Sequence, residues 1–174
     1  MSTVAKILDA FSGLTLENED GAPLGVLLES PLASKELDRY EESIGVELPD
    51  EFRELLLITN GMNYFGLDIM PIDQQTYYRD QGIITFHNWG NGDFDCVAAS
   101  PSQYPDGTVV FMNHSPDVTV ALAQSISEWL KKAAREIRSK GALLHPSDYR
   151  ERREQGLCQH VLEKLSGIAC ELNR

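Results

Sequence analysis

The sequence predicts an α+β fold: a mostly antiparallel central sheet with helices packed on one side, N-terminal helices before it and a C-terminal helical extension after it. Three observations carry this expectation. Apolar residues recur at helical spacing before Gly61 and again from Ser125. Between those stretches lie short runs rich in β-branched and aromatic residues, each bounded by Gly, Pro, Asn or Asp. The gaps between the runs leave no room for crossover helices, so most neighbouring strands must pair antiparallel.

Each element follows from local chemistry. Val4, Ile7, Leu8 and Phe11 stand at i, i+3, i+4 and i+7, the apolar face of a short helix closed by Gly13. Residues 17–25 are acidic and glycine-punctuated and read as a loop. Ser34 is placed to cap a second helix, with Leu37, Tyr40, the aliphatic stem of Glu41 and Ile44 on its buried face and Gly45 at C′. Pro49 suits the first position of a third helix, and Asp50 and Glu51 set negative charge against its N-terminal dipole. Phe52, Leu55, Leu56 and Thr59 continue that face until Asn60-Gly61 stops it. Strands are expected at 64–72, 82–87, 94–98, 108–112 and 118–122. Helix resumes at Ser125, which forms a capping box with Glu128. Its apolar stripe is Ile126, Trp129, Leu130 and Ala133, followed by a basic turn over 135–140 and Gly141. His145-Pro146-Ser147 breaks the chain before a last helical region over 148–172, kinked near Gly156.

Composition bounds the function. The chain has 174 residues, 42% of them hydrophobic, with a net charge of −12. It reads as a single domain over 1–174 that buries a real core, which excludes intrinsic disorder. The negative charge argues against nucleic acid and against an anionic membrane as partners. It is unevenly spread. Residues 1–124 hold 5 Lys+Arg against 20 Asp+Glu, whereas 125–174 hold 10 against 7. An electrostatically steered partner should therefore approach the first part and be basic. No apolar run reaches the ~18–20 residues needed to span a bilayer, and residues 1–12 do not read as a signal peptide. Cys96, Cys158 and Cys170 are an odd, widely spaced set that reads as reduced thiols, so a cytoplasmic location is expected.

Motifs for chemistry mostly fail. The chain lacks Gly-x-Ser-x-Gly, His-Glu-x-x-His and a phosphate-binding Gly-Lys-Ser/Thr loop. His87, His114, His145 and His160 lie 27, 31 and 15 residues apart, without the close pair of a local metal site. No catalytic residue, metal or cofactor is expected. Asn91-Gly92-Asp93-Phe94-Asp95 alternates oxygen ligands as calcium loops do, but Cys96 replaces the turn glycine and Ser102 the bidentate Glu. It reads as a hairpin turn entering a strand. Cys158 and His160, at i and i+2, do not face each other on a helix, and the arginines at 150, 152 and 153 are interleaved with acids, as on a solvated helix surface. The candidate partner-binding residues are Asp68, Asp73, Asp80, Asp93 and Asp95, with Tyr77, Tyr78 and Trp89 among them as aromatic anchors, and Asp106 nearby. Most other carboxylates read as simple solvation of exposed faces.

The segment from Leu37 to Gly61 carries a resemblance. Glu41, Gly45, Leu48-Pro49, Phe52, Leu55-Leu56 and Asn60-Gly61 resemble the opening signature of the SUKH superfamily, which holds fungal cell-wall synthesis regulators and bacterial toxin-immunity proteins. Gly92-Asp93-Phe94-Asp95 resembles the family's Gly-Asp turn ahead of a strand, and residues 123–130 its closing helix. The resemblance covers about 30–135 and leaves 136–174 as an extension. It implies an α+β domain without a catalytic site, whose motif residues serve folding and whose binding surfaces vary. It further implies an immunity protein that binds and blocks a basic toxin, a nuclease for example, with a regulatory or scaffold adaptor as the alternative.

Overall fold

The computed structural model describes residues 3–12, 14, 16–17, 20–64, 66–114 and 119–146. The chain divides into a compact unit over 1–143 and a second unit over 144–174. The helical region expected over 148–172 lies outside the described residues, together with Cys158, His160, Cys170 and the arginines of 150–153.

Helix α1 spans Thr3–Ser12 and buries Val4, Ile7, Leu8 and Phe11, the residues its periodicity selects. The stretch expected as a loop instead holds a two-residue antiparallel pair, β1 (Leu16–Glu17) with β2 (Pro23–Leu24), followed by β3 (Leu27–Leu28). Helix α2 covers Ser34–Ile44, but its cap is Ala33 rather than Ser34. Ala33 is extended, and Glu36 Oε2 accepts its N–H at 2.8 Å, so a carboxylate reaching back does the capping. Helix α3 covers Asp50–Ile58, with Pro49 one position earlier than expected, at the N-cap.

The run expected as one strand over 64–72 is a hairpin, β4 (Met62–Tyr64) and β5 (Leu67–Ile69). The apolar pattern hides the turn at Gly66, whose φ of +77° only glycine adopts freely. A 3₁₀ turn over Ile72–Gln74 comes next, pinned where Asn60 Oδ1 accepts the Ile72 N–H at 2.9 Å. The sheet continues with β6 (Tyr77–Tyr78), β7 (Ile83–Asn88), β8 (Phe94–Ala98), β9 (Val109–Met112) and β10 (Thr119–Ala123). Its order is β10-β9-β8-β7-β5-β4-β3, every pair antiparallel, with β6 sharing the β7 edge used by β5. Gly82, before β7, tolerates no side chain, since a Cβ there would sit 1.8 Å from the Pro101 carbonyl oxygen. Helix α4 (Ile126–Lys140) starts at Ser125, whose Oγ accepts the Glu128 N–H, while Glu128 Oε2 accepts the Gln124 N–H at 2.8 Å.

The fold is therefore α+β, with helices on one side of an antiparallel sheet. The helix-facing core joins Phe11, Phe52, Leu55 and Leu56 to Ile84, Phe86, Val97, Val109, Trp129 and Leu130. Phe86 is the centre of its aromatic contacts, 5.8 Å from Phe52 and 5.0 Å from Trp129 between ring centroids. The other face carries a smaller layer of Ile83, Cys96, Ala98 and Met112 beneath Tyr78, Phe94 and Tyr104. Both faces of β7 are thus buried, Thr85 and His87 included, and only Asn88 is partly exposed.

One irregularity in the sheet redirects two side chains. Thr85 pairs with Cys96 and His87 with Asp95, so β7 spends an extra residue, Phe86, against β8. This bulge turns Phe86 and His87 to the same, helix-facing side.

Candidate functional site

Sorting the carboxylates by what they touch separates folding from surface chemistry. Many are committed to groups of the chain itself. Glu41 Oε1 accepts the buried Leu48 N–H at 2.8 Å and its Oε2 accepts Arg53 Nη1. Arg53 also donates to Asp38 at 2.5 Å. The Asp38 hydrogen bond, reinforced by Glu41 and opposed by partial burial, holds the guanidinium above its ordinary range. Glu51 Oε2 accepts the Ser127 N–H at 2.8 Å, tying α3 to the start of α4. Asp106 accepts the Ser100 N–H at 3.1 Å.

Asp93 and Asp95 are committed more deeply. Asp93 is 5% exposed and Asp95 fully buried. Asp93 Oδ1 accepts the His114 N–H at 2.7 Å, and its backbone N–H donates to Asn91 Oδ1 at 3.0 Å, closing the hairpin turn. Asp95 accepts two indoles, Trp89 Nε1 on Oδ1 at 3.1 Å and Trp129 Nε1 on Oδ2 at 3.0 Å. His87 Nδ1 lies 3.2 Å from Oδ2, at ion-pair distance but without hydrogen-bond alignment. These two aspartates leave the candidate binding face, because their oxygens are occupied and shielded. Trp89 is half-buried and bound to Asp95, so its polar end is likewise directed inward.

The remaining candidates lie together. Residues 68–80 run along the side of β7 that faces away from β8. The carboxylates of Asp68, Asp73 and Asp80 make no hydrogen bond or ion pair among the described residues, and Asp73 and Asp80 are exposed. Tyr77 and Tyr78 are half-buried between them, one reaching each face of the sheet. The outer edge of β6 is open among the described strands. Arg79 fixes this stretch: its guanidinium stacks 5.7 Å from the Tyr77 ring centre and donates to the Ile44 carbonyl at 2.9 Å, at the C-terminus of α2.

Sequence reasoning missed a second acidic feature. The α2–α3 linker and the loop over 100–106 enclose a shallow groove bearing Glu47, Asp50 and Asp106. Only the overall acidity of residues 1–124 signals it, since 47–50 read as helix-start chemistry. Among the described residues, no group of three or more His, Cys, Asp or Glu is arranged to hold a metal. No helix among them is long and apolar enough to cross a membrane.

A helix-backed antiparallel sheet, braced by carboxylates on backbone and indole N–H groups, with free carboxylates gathered along one strand edge, defines an α+β domain whose polar chemistry is divided between bracing and surface. Residues 31–132, more than half of the chain, match the SMI1 / KNR4 family (SUKH-1), and the chain belongs to that family. No curated protein matches it. Glu41, Asn60, Asp93 and Asp95, which carry the resemblance, all lie in the matched span and all brace the fold.

Proposed function

We propose that this chain is a non-enzymatic protein-binding domain, an immunity protein that neutralises a cognate toxin with a basic surface by covering it. Family membership supports a protein-binding role. The observation that carries the electrostatic part is the set of uncommitted carboxylates, Asp68, Asp73 and Asp80, ranged beside Tyr77 and Tyr78. Aromatics with a fixed backbone supply contact area at low entropic cost, and surrounding charge speeds encounter with an opposite partner. A standard interface covers roughly 800 Å² of each partner, enough to span the 68–80 stretch. The groove of Glu47, Asp50 and Asp106 extends the negative field beyond it.

The experiment is growth protection, then kinetics. The chain is co-expressed with candidate toxin domains that carry a basic surface, and any protected pair is purified. Asp68→Asn/Asp73→Asn/Asp80→Asn should slow association by about tenfold at low salt and flatten its salt dependence. Unchanged association in the triple variant sinks the electrostatic reading. Absence of protection by the wild-type chain favours a regulatory adaptor, which the same family match accommodates.

A further inference from the structure

We infer that the outer edge of β6 is a strand-addition site, and that its occupant is an extended, cationic segment of a partner protein. This rests on the protein-binding reading above and adds how the partner is held.

The backbone register defines the edge. The Thr85 N–H donates to the Thr76 carbonyl at 3.0 Å, Tyr77 lies opposite Ile84, and Tyr78 lies opposite Ile83. In an antiparallel pair, residues that bond across the ladder alternate with residues whose N–H and C=O point the other way. Thr76 and Tyr78 therefore face β7, and the N–H and C=O of Tyr77 between them point outward. Among the described residues, neither group has a hydrogen-bond partner. Such an edge is a template on which a second chain can add.

The template is accessible and already ordered. Gln74, Thr76, Arg79 and Asp80 around it are exposed. The Thr76 N–H donates to Thr85 Oγ1 at 2.8 Å, which holds the start of β6 against β7. Arg79 holds its end, through the Ile44 carbonyl and the Tyr77 ring. A docking strand thus meets a backbone that has little conformational freedom left to lose.

Charge selects the occupant. Asp73, on the 3₁₀ turn before β6, and Asp80, in the turn after it, are exposed, and their carboxylates have no partner among the described residues. A second copy of this chain added to the edge would bring Asp73 and Asp80 against carboxylates again, in either strand direction, and like charges across a strand pair repel. A segment with Lys or Arg on each side of a short uncharged centre instead meets both acids. With two residues, β6 offers too few backbone bonds to hold a partner in register by itself. The flanking charges supply that register, and a strand of ordinary length, about 5–6 residues, is enough to carry them.

Amide NMR of the intact chain titrated with the end-capped peptide Lys-Val-Thr-Val-Lys tests this. At saturation the Tyr77 amide should shift and exchange about tenfold more slowly, while the amides of Val97 and Val110 in the strand centres keep their rates. N-methylation of the central Thr should weaken binding about tenfold, whereas N-methylation of either Val, whose N–H points away from β6, should leave it unchanged. Asp73→Asn/Asp80→Asn should weaken the unmodified peptide about tenfold at low salt. Equal binding of the methylated peptides, binding that leaves the Tyr77 amide unshifted, or no binding overturns strand addition. None of these touches the association kinetics of the triple asparagine variant, which judge the electrostatic reading separately. Peptide capture in the expected pattern by a chain that gives no growth protection removes the toxin and retains strand addition.

Discussion

Replacing Glu41 tests directly whether the family's motif residues brace the fold. Its carboxylate is 16% exposed and has two tasks, accepting the Leu48 N–H at 2.8 Å and pairing with Arg53. In Glu41→Ala the Leu48 N–H is stranded next to a side chain that is itself 5% exposed. An orphaned buried donor costs about 1–3 kcal/mol. Arg53 keeps Asp38, but that partner is 55% exposed, and pairs of this kind contribute only about 0–1 kcal/mol. The expected loss is therefore about 2–3 kcal/mol. For a domain of this size that corresponds to a fall in Tm of roughly 5–10 °C. Arg53→Met leaves the Leu48 bond intact and should cost about 1 kcal/mol or less. Urea unfolding followed by far-ultraviolet circular dichroism gives both numbers. A Glu41→Ala loss below about 0.5 kcal/mol, within the range of ordinary surface substitutions, refutes the reasoning. Equal losses in the two variants refute it as well, because the backbone bond would then carry nothing.

Two buried groups give further expected outcomes. Burial without a hydroxyl partner pushes Tyr40 from its usual 10.0 up to about 12. The unfolded chain then ionises first, so Tyr40 favours the native state at lower pH and that contribution is lost as pH rises from about 10 through 12. Tyr40→Phe should flatten this alkaline loss in a urea-unfolding series, and should stabilise the protein near neutral pH by removing an unsatisfied hydroxyl. Burial first, and then the neighbouring Asp95 charge, push the Cys96 thiol up. With thiolate as the reactive form, Cys96 should resist alkylation in the folded chain at mildly alkaline pH and react once urea unfolds it, as mass spectrometry of the labelled peptides will show.

The parts of the fold legible in the sequence are those whose local signals agree with their environment. Strands β7, β8, β9 and β10 are legible because each is a short run rich in β-branched, aromatic and other apolar residues between turn residues. Strand β6 is not, since two tyrosines carry no periodicity and are strand only through pairing with Ile83 and Ile84. The β4–β5 hairpin reads as one strand because its turn glycine interrupts an otherwise apolar stretch. In the candidate site, Asp73 and Asp80 stand out from composition alone and are exposed as expected. Asp93 and Asp95 share the same local appearance, acids in a glycine turn, yet lie inside. What decides this for Asp95 is a donor 34 residues away, the Trp129 indole, together with a bulge in the facing strand. Neither leaves a trace in residues 91–95.

The additional residue in β7 also governs how the gene tolerates changes in length. Deleting Phe86 would bring β7 back into step with β8 and leave His87 opposite Asp95 on the helix-facing side. What would be lost is the ring that stands between Phe52 and Trp129 in the helix-facing core. Insertions and deletions within 85–87 should therefore be poorly survivable. In any comparison of relatives, the count of residues between the strand start and the Gly-Asp turn is the character to align first.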